Sequence, residues 1–428
     1  MRRQAIPQWR ALGLVVAALL VAAPVFSAGF GIFEQGTKAM GMASAFAAQG
    51  DDPSTLFFNV GGLAFFDERE FALGATYITS VDATWEGTGA LEGLSGEQEK
   101  LSEIPPHFYF VQPIGEKWNF GFSLNAPFGL TTDWKDKDNF PGRFISEMAS
   151  LTSIDVGAHI GVKLSDTFGL GFGVLGRFSE VELQNRQQAT LIPGAPPFEI
   201  AAVHLTSDMD SGIGWQIGVL HKFNNSFSWS LYYKSKIEVD YKGEAQFTQI
   251  PTGIPPLDAA VGGLLPFGQK VSADTSIEFP DMAGIGLAFV VSPKWLIETD
   301  FNWTGWSSFD ELVLDFGNPM LDLSIEQDWE DVWNYRLGVK WMWKDNGEWR
   351  FGYVYDETPQ PEKSVSPLLP GANRNGFSAG YGFTGGKLTW DLALMYVPFD
   401  ERTTNNQQDG FTGTYNTTAW LFGITLGF

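Results

Sequence analysis

Residues 418–428 read Thr-Ala-Trp-Leu-Phe-Gly-Ile-Thr-Leu-Gly-Phe. From Trp420 every second residue is large and apolar: Trp420, Phe422, Ile424, Leu426 and Phe428. The residues between them, Ala419, Leu421, Gly423, Thr425 and Gly427, are mostly small. A period of two places the two sets on opposite faces of a strand. Two environments accept such a strand: the edge of a soluble sandwich, or the closing strand of a barrel whose large row faces lipid.

The rest of the chain separates these options. Its 428 residues include 49 Gly and 15% aromatic residues, no Cys, and 50 Asp+Glu against 27 Lys+Arg. High Gly and aromatic content with few helix formers predicts an all-β fold. The acidic balance excludes nucleic-acid binding, which requires a basic footprint.

Arg2, Arg3 and Arg10 precede an apolar run from Ala11 to Phe26, and Val25-Phe26-Ser27 offers a small-residue cleavage site. That order predicts a secretory signal peptide over residues 1–27. The run is short for a transmembrane helix, which needs about 20 residues. No later run approaches that length, so any membrane insertion must use strands.

Residues 28–68 lack a period-two pattern and are too few to bury a core of their own. They must pack on, or inside, the remainder, with Gly36–Gly50 able to form a short, close-packing helix. From 69 to 428 the chain alternates between strand-like runs and connections. About fourteen runs are expected, from 69–86, 98–112 and 117–126 through 226–243 to 418–428. In one of them Trp333, Tyr335, Leu337, Val339, Trp341 and Trp343 alternate with Asn334, Arg336, Gly338, Lys340 and Met342.

The connections carry the argument further. Short turns such as Ser292-Pro293 fall between every second pair of runs, and the remaining connections are long: 127–152, 185–210, 244–274, 305–330, 357–374 and 398–417. Short periplasmic turns alternating with long outer loops are the asymmetry of a transmembrane barrel, whereas a sandwich has no reason to sort loop length by parity. An even strand count leaves both ends on the periplasmic side, where 28–68 can enter the lumen as a hatch. Trp295, Trp303, Trp306, Trp333 and Trp343 lie near run ends, as interfacial girdles require.

Several stretches, taken in order, resemble the FadL/TodX family of outer-membrane transporters of long-chain fatty acids and other hydrophobic compounds. These are Ala28-Gly29-Phe30, Gly50-Asp51-Asp52 through Asn59, Ala126-Pro127-Phe128-Gly129-Leu130, Pro141-Gly142-Arg143-Phe144, Trp303-Thr304-Gly305-Trp306, Trp333-Asn334-Tyr335-Arg336 and Gly352-Tyr353-Val354-Tyr355-Asp356. The terminal Phe likewise resembles the C-terminal signature of bacterial outer-membrane barrels. One position departs: the hatch motif reads Asn59-Val60-Gly61 where the family has Asn-Pro-Ala. Proline fixes φ and removes an N–H, so the hatch geometry here is looser by sequence.

The resemblance implies loop capture of a hydrophobic ligand, lumen binding, and lateral release at a kinked third strand, for which Asn125, Pro127 and Gly129 are the interrupting residues. Apolar loop stretches (Leu191-Ile192-Pro193, Ile254-Pro255-Pro256-Leu257, Leu264-Leu265-Pro266-Phe267) suit a first contact with such a ligand, or a cap in which the loops pack together. A fatty acid brings a carboxylate into apolar space, where it needs a cation. Arg177 and Arg374 fall where the family places carboxylate binders, and Arg336 is similar in type; structural ion pairs with lumen acids are the competing reading. The implied partners are hydrophobic small molecules, outer-membrane lipid and lipopolysaccharide, and the barrel-assembly machinery, with a monomeric chain, no cofactor and no nucleic acid.

Enzymatic readings are poor. His107, His159, His204 and His221 lie on separate segments without metal-ligand spacing, and no G-x-S-x-G occurs. Aromatic-hydrocarbon uptake, a surface adhesin or receptor, and a general porin remain as other functions for the same barrel. The acidic stretch 310–331 reads as a solvated loop or a divalent-cation site.

Overall fold

The computed structural model describes residues 29–428, apart from 191–193, 195, 320, 405 and 407. The expected signal peptide and the loop stretch Leu191-Ile192-Pro193 lie outside the described residues. Fourteen antiparallel strands form one closed wall. They are β1 (Glu70–Gly87), β2 (Pro106–Ile114), β3 (Trp118–Asn125), β4 (Met148–Lys163), β5 (Phe168–Ala189), β6 (Asp210–Asn224), β7 (Phe227–Lys234), β8 (Met282–Ser292), β9 (Trp295–Thr304), β10 (Val332–Lys344), β11 (Gly347–Asp356), β12 (Arg374–Gly385), β13 (Leu388–Pro398) and β14 (Gly413–Gly427). Each pairs with its neighbours in sequence, and β14 returns to β1 with Leu73 opposite Leu426. Stacking of Phe71 on Phe428, 5.2 Å between ring centres, finishes the seam.

The face assignment in β14 follows its pattern. Phe422 and Ile424 are each 48% exposed, while Leu421 and Thr425 are 5% and 4% exposed. The same outward apolar row runs around the wall through Phe172, Trp215, Leu231, Trp349, Phe377 and Leu392. So large an apolar surface requires lipid around it. Among the described residues no helix is long and apolar enough to cross a membrane; the strands do the crossing, because each backbone N–H and C=O in lipid must be paired.

Three expected runs are redrawn, the run placed at 275–291 dividing at Pro280 between Lys270–Phe279 and β8. The run placed at 98–112 becomes a regular strand of the wall only at Pro106, because Pro105 and Pro106 supply no N–H to a ladder. The run at 226–243 divides: β7 ends at Lys234, and Ile237–Gln249 continues as part of an outer extension. There it pairs with Phe198–Ser207 on one side and Lys270–Phe279 on the other. Trp306 also departs from expectation. It is fully buried against Phe30 and Trp329, so it is no part of an interfacial girdle.

Residues 29–66 fill the lumen. Instead of one helix across 36–50 there is a single turn, Thr37–Met40, after which Ala43 and Ser44 take positive φ (50° and 61°). Wall contacts dictate this path. Asp300 Oδ2 accepts the N–H groups of Phe46 (2.8 Å) and Ala47 (3.0 Å), and Glu298 Oε1 accepts that of Ala48 (2.6 Å). Asn119 donates to the carbonyls of Leu63 and Phe66 at 2.6 and 2.9 Å. Phe46, Leu56, Phe57, Phe58 and Leu63 supply the apolar body of the plug.

Glycines in the wall let the plug's backbone come close. A Cβ on Gly171 would sit 2.0 Å from the Val60 carbonyl oxygen, and one on Gly218 would sit 2.0 Å from Asn59 Oδ1. Gly171→Val is therefore expected to push the plug off β5, at a cost of about 1–3 kcal/mol for overpacking. Planar-bilayer recording checks this: the native barrel should conduct little, the variant measurably more. Equal conductance would show that the plug does not depend on this contact.

Candidate functional site

The regular ladder of the third strand is interrupted after Asn125. Asn125 faces Asp155 on β4 and Gly129 faces Thr152, so four steps on one side oppose three on the other. The extra residue falls in Ala126-Pro127-Phe128, where Pro127 has no N–H to give. Beyond it, Gly129–Asp133 still pairs with β4, but β2 has stopped at Phe108 opposite Leu124. One edge of this segment is thus left without a wall strand.

Plug residues take the near end of that edge, while at its far end Glu99 N–H donates to Asp133 O at 2.7 Å and Lys135 N–H to Glu97 O at 2.9 Å. Ile32 N–H donates to Pro127 O at 2.7 Å, and Gly129 N–H donates to Phe30 O at 3.1 Å. Gln35 clamps Ala126 through both amide atoms, donating to its carbonyl at 2.7 Å and accepting its N–H at 3.0 Å. Phe30 packs between Phe128, Phe279 and Trp306. By contrast Asn59-Val60-Gly61 lies against β5 and β6. Asn59 caps the 3₁₀ turn Val60–Phe65 by accepting Gly61 N–H at 3.0 Å, and it donates to Val219 O at 3.0 Å. The structure therefore joins Ala126, Pro127 and Gly129 to residues 30–35, while Asn125 pairs with Asp155 and the altered motif lies on β5 and β6.

A cavity of about 360 Å³ lies at this break. Its apolar walls include Phe30, Leu130, Val354, Leu369, Met395 and Leu421. Its lining also includes Gly129–Thr132, together with Glu103 and Ile104, the latter 63% exposed. One end is charged, lined by Glu34, Asp356 and Arg374.

Of the three arginines, only Arg374 lines this cavity. Its Nη2 donates to Asp356 Oδ2 at 2.6 Å, across the ladder between β11 and β12. Arg177 is 5% exposed and engages Asp155 in a two-pronged pair, Nε to Oδ1 and Nη2 to Oδ2, both 2.8 Å. Its guanidinium lies 4.4 Å from the Phe128 ring centre and 4.5 Å from that of Phe279. Arg336 holds the plug: Nη1 donates to Ala43 O at 2.8 Å, Nε donates to Asn334 Oδ1 at 3.1 Å, and the group sits 4.5 Å from the Phe33 ring centre.

Glu34 and Gln35 escaped sequence reading, since an isolated Glu-Gln pair has no period or spacing to mark it. Burial pushes the Glu34 carboxyl above its ordinary range, against the opposing pull of Arg336 and Arg374. Other polar groups are occupied structurally. Ser123 Oγ lies 2.8 Å from His159 Nε2, and Gln216 lies 3.2 Å from Nδ1 while donating to Leu56 O at 2.8 Å. In 310–331, Glu311–Leu314 pairs with Leu323–Glu326 as a surface hairpin, and among the described residues no cluster suited to a metal ion is present.

A plugged, fourteen-stranded transmembrane barrel with a broken third strand defines a class of outer-membrane transporter. The profile of the outer membrane protein transport protein family (OMPP1/FadL/TodX) matches residues 18–428, and the chain belongs to that family. It is 26% identical over 442 residues to the long-chain fatty acid transport protein of Escherichia coli O6:H1, with 97% of each chain covered. Its fold is similar to that of a Pseudomonas aeruginosa FadL homologue (TM-score 0.82, 22% identity, 94% of this chain and 99% of that one). The Pseudomonas putida toluene transporter TodX is also similar (TM-score 0.68, 13% identity, 94% and 98%). The protein is an outer-membrane transport protein.

The buried Arg177–Asp155 pair yields a prediction. Arg177→Met strands a buried carboxylate and should destabilise the barrel by about 3–5 kcal/mol. Adding Asp155→Leu should recover most of that loss, because an apolar pair replaces a buried ionic pair at little cost. Heat-dependent gel mobility of the folded barrel reads both. A destabilised double variant would show that the pair does more than satisfy itself.

Proposed function

We propose that this barrel takes up long-chain carboxylic acids, fatty acids being the natural case. The acid enters from the outer loops, lodges its chain in the cavity at the broken third strand, and leaves sideways past Gly129–Asp133. One observation carries the reading: the cavity joins extended apolar walls to a single charged end holding Arg374. Its volume falls in the range of small-molecule sites, and a guanidinium is the group best shaped to meet a carboxylate. The fatty acid transport protein among the relatives supports the same substrate. Arg374 is the carboxylate contact in this proposal, while Arg177 braces the wall and Arg336 the plug. Lateral movement at Pro127 requires the plug residues 30–35 to release their hydrogen bonds there, with Asn59, Val60 and Gly61 staying on β5 and β6. The chain acts as a monomer without catalysis, inserted by the barrel-assembly machinery among outer-membrane lipid and lipopolysaccharide.

Uptake by cells lacking their own hydrophobic-compound transporter tests this. Complementation should restore labelled oleate uptake, and Arg374→Ala should weaken it about tenfold or more, the worth of a charge-assisted hydrogen bond. Toluene uptake that Arg374→Ala leaves untouched, without oleate uptake, would point to aromatic hydrocarbons. Uptake of neither by a correctly inserted barrel would overturn transport of either class and favour surface adhesion.

A further inference from the structure

The charged end of the cavity holds more acid than a carboxylate ligand tolerates. Arg374 already spends Nη2 on Asp356 Oδ2, 2.6 Å away. The other oxygen, Asp356 Oδ1, is buried without a hydrogen-bond partner. Glu34 lines the same end and, among the described residues, enters no ion pair. The charged groups facing Glu34 are Arg336 from β10, Asp356 from β11 and Arg374 from β12, with Glu103 at the outer rim.

Of the groups acting on Glu34, Arg336 and Arg374 are positive and Asp356 is negative; Arg336 also serves Asp300, and Glu103 adds a further acid at the rim. With Glu34 ionised, the empty site has no positive charge to spare. An incoming carboxylate makes it one charge too negative, in a setting where an unbalanced buried charge is strongly disfavoured. One proton restores the balance. It also turns an acceptor into a donor, which is what two carboxylates side by side require, and what the unpartnered Asp356 Oδ1 lacks.

We propose that the cavity binds a long-chain carboxylic acid together with one proton, held between Glu34 and the ligand's carboxyl group, so that Glu34 is a specificity-determining residue of the site. This rests on the fatty-acid reading above and deepens it. In the empty site Glu34 occupies the place in the charge balance that the ligand takes when bound. The proton comes from solvent and returns there on release. Ligands without a carboxyl group need no proton and gain nothing from one. Burial of Glu34 works in the same direction, bringing its titration closer to neutral pH.

The test is calorimetry on the full barrel in detergent, using dodecanoate below its micelle concentration and two buffers of different ionisation heat. Native protein should take up about one proton per dodecanoate, with affinity rising as pH falls, by at most roughly tenfold per pH unit. 1-Dodecanol should bind with no proton uptake. Glu34→Gln supplies an amide donor in place of the titrating group and should flatten the pH profile for dodecanoate. Proton-free binding of dodecanoate by the native barrel overturns the proposal while leaving fatty-acid transport standing. An unchanged pH profile in Glu34→Gln does the same. Failure of dodecanoate to bind at any pH overturns both. The native proton count, set against dodecanol, decides the matter even if the variant does not fold.

Discussion

Hydrocarbon offers no partner for a backbone amide, and this shortage governs the whole molecule. Fourteen strands close on themselves so that each ladder has a neighbour, and the β1–β14 seam removes the last free edge. The rule is broken in one place, past Asn125, where Pro127 ends the regular ladder and β2 has already stopped. Phe30, Ile32 and Gln35 make good the missing hydrogen bonds from inside. Among the described residues, the plug thus substitutes for a strand where the ladder lapses after Asn125. The cavity lies at that same place.

A second consequence concerns polarity. The plug's loops carry many backbone groups that no helix or sheet satisfies, and water is scarce inside. Glu298, Asp300, Asn119, Arg336 and Ser378 on the wall meet those groups directly, Ser378 Oγ accepting Ala43 N–H at 2.8 Å. Such a lining is costly to bury unless it is hydrogen-bonded, and the bonds to the plug offset part of that cost. The lumen thus divides into a polar region that fixes the plug and an apolar region at the broken strand. Arg336 and Arg374, alike in sequence, end in different roles, one holding the plug at Ala43 and the other lining the cavity.

The fold was largely legible because lipid imposes a period of two and a parity of loop length that few other environments produce. β14 and β10 show this in their residues, and Ser292-Pro293 and its counterparts show it in the turns. Where reading failed, the cause was local or tertiary. Pro105-Pro106 moved a strand start by eight residues, from 98 to 106. Trp306 was drawn inward by Phe30 and Trp329, a contact between distant segments that no window reveals. The site was legible only in part. Arg374 and the Pro127 break carried visible marks; the Asp155 partner of Arg177 did not, and Glu34 acquires its interest solely from what folding sets around it.

The close fit of plug to wall bears on how the molecule is put together. The carbonyl of Val60 rests where Gly171 has no side chain, and Met42 and Ala43 rest against Gly352. A body moulded to that degree has one seat within the cylinder. The seam joins Leu73 to Leu426, the two ends of the wall, and so carries the largest loop-closure entropy of any strand pair. That closure is accordingly the costliest in chain entropy. Residues 29–66 lie inside the ring it completes, and their bonds to the wall offset part of the cost of holding it shut.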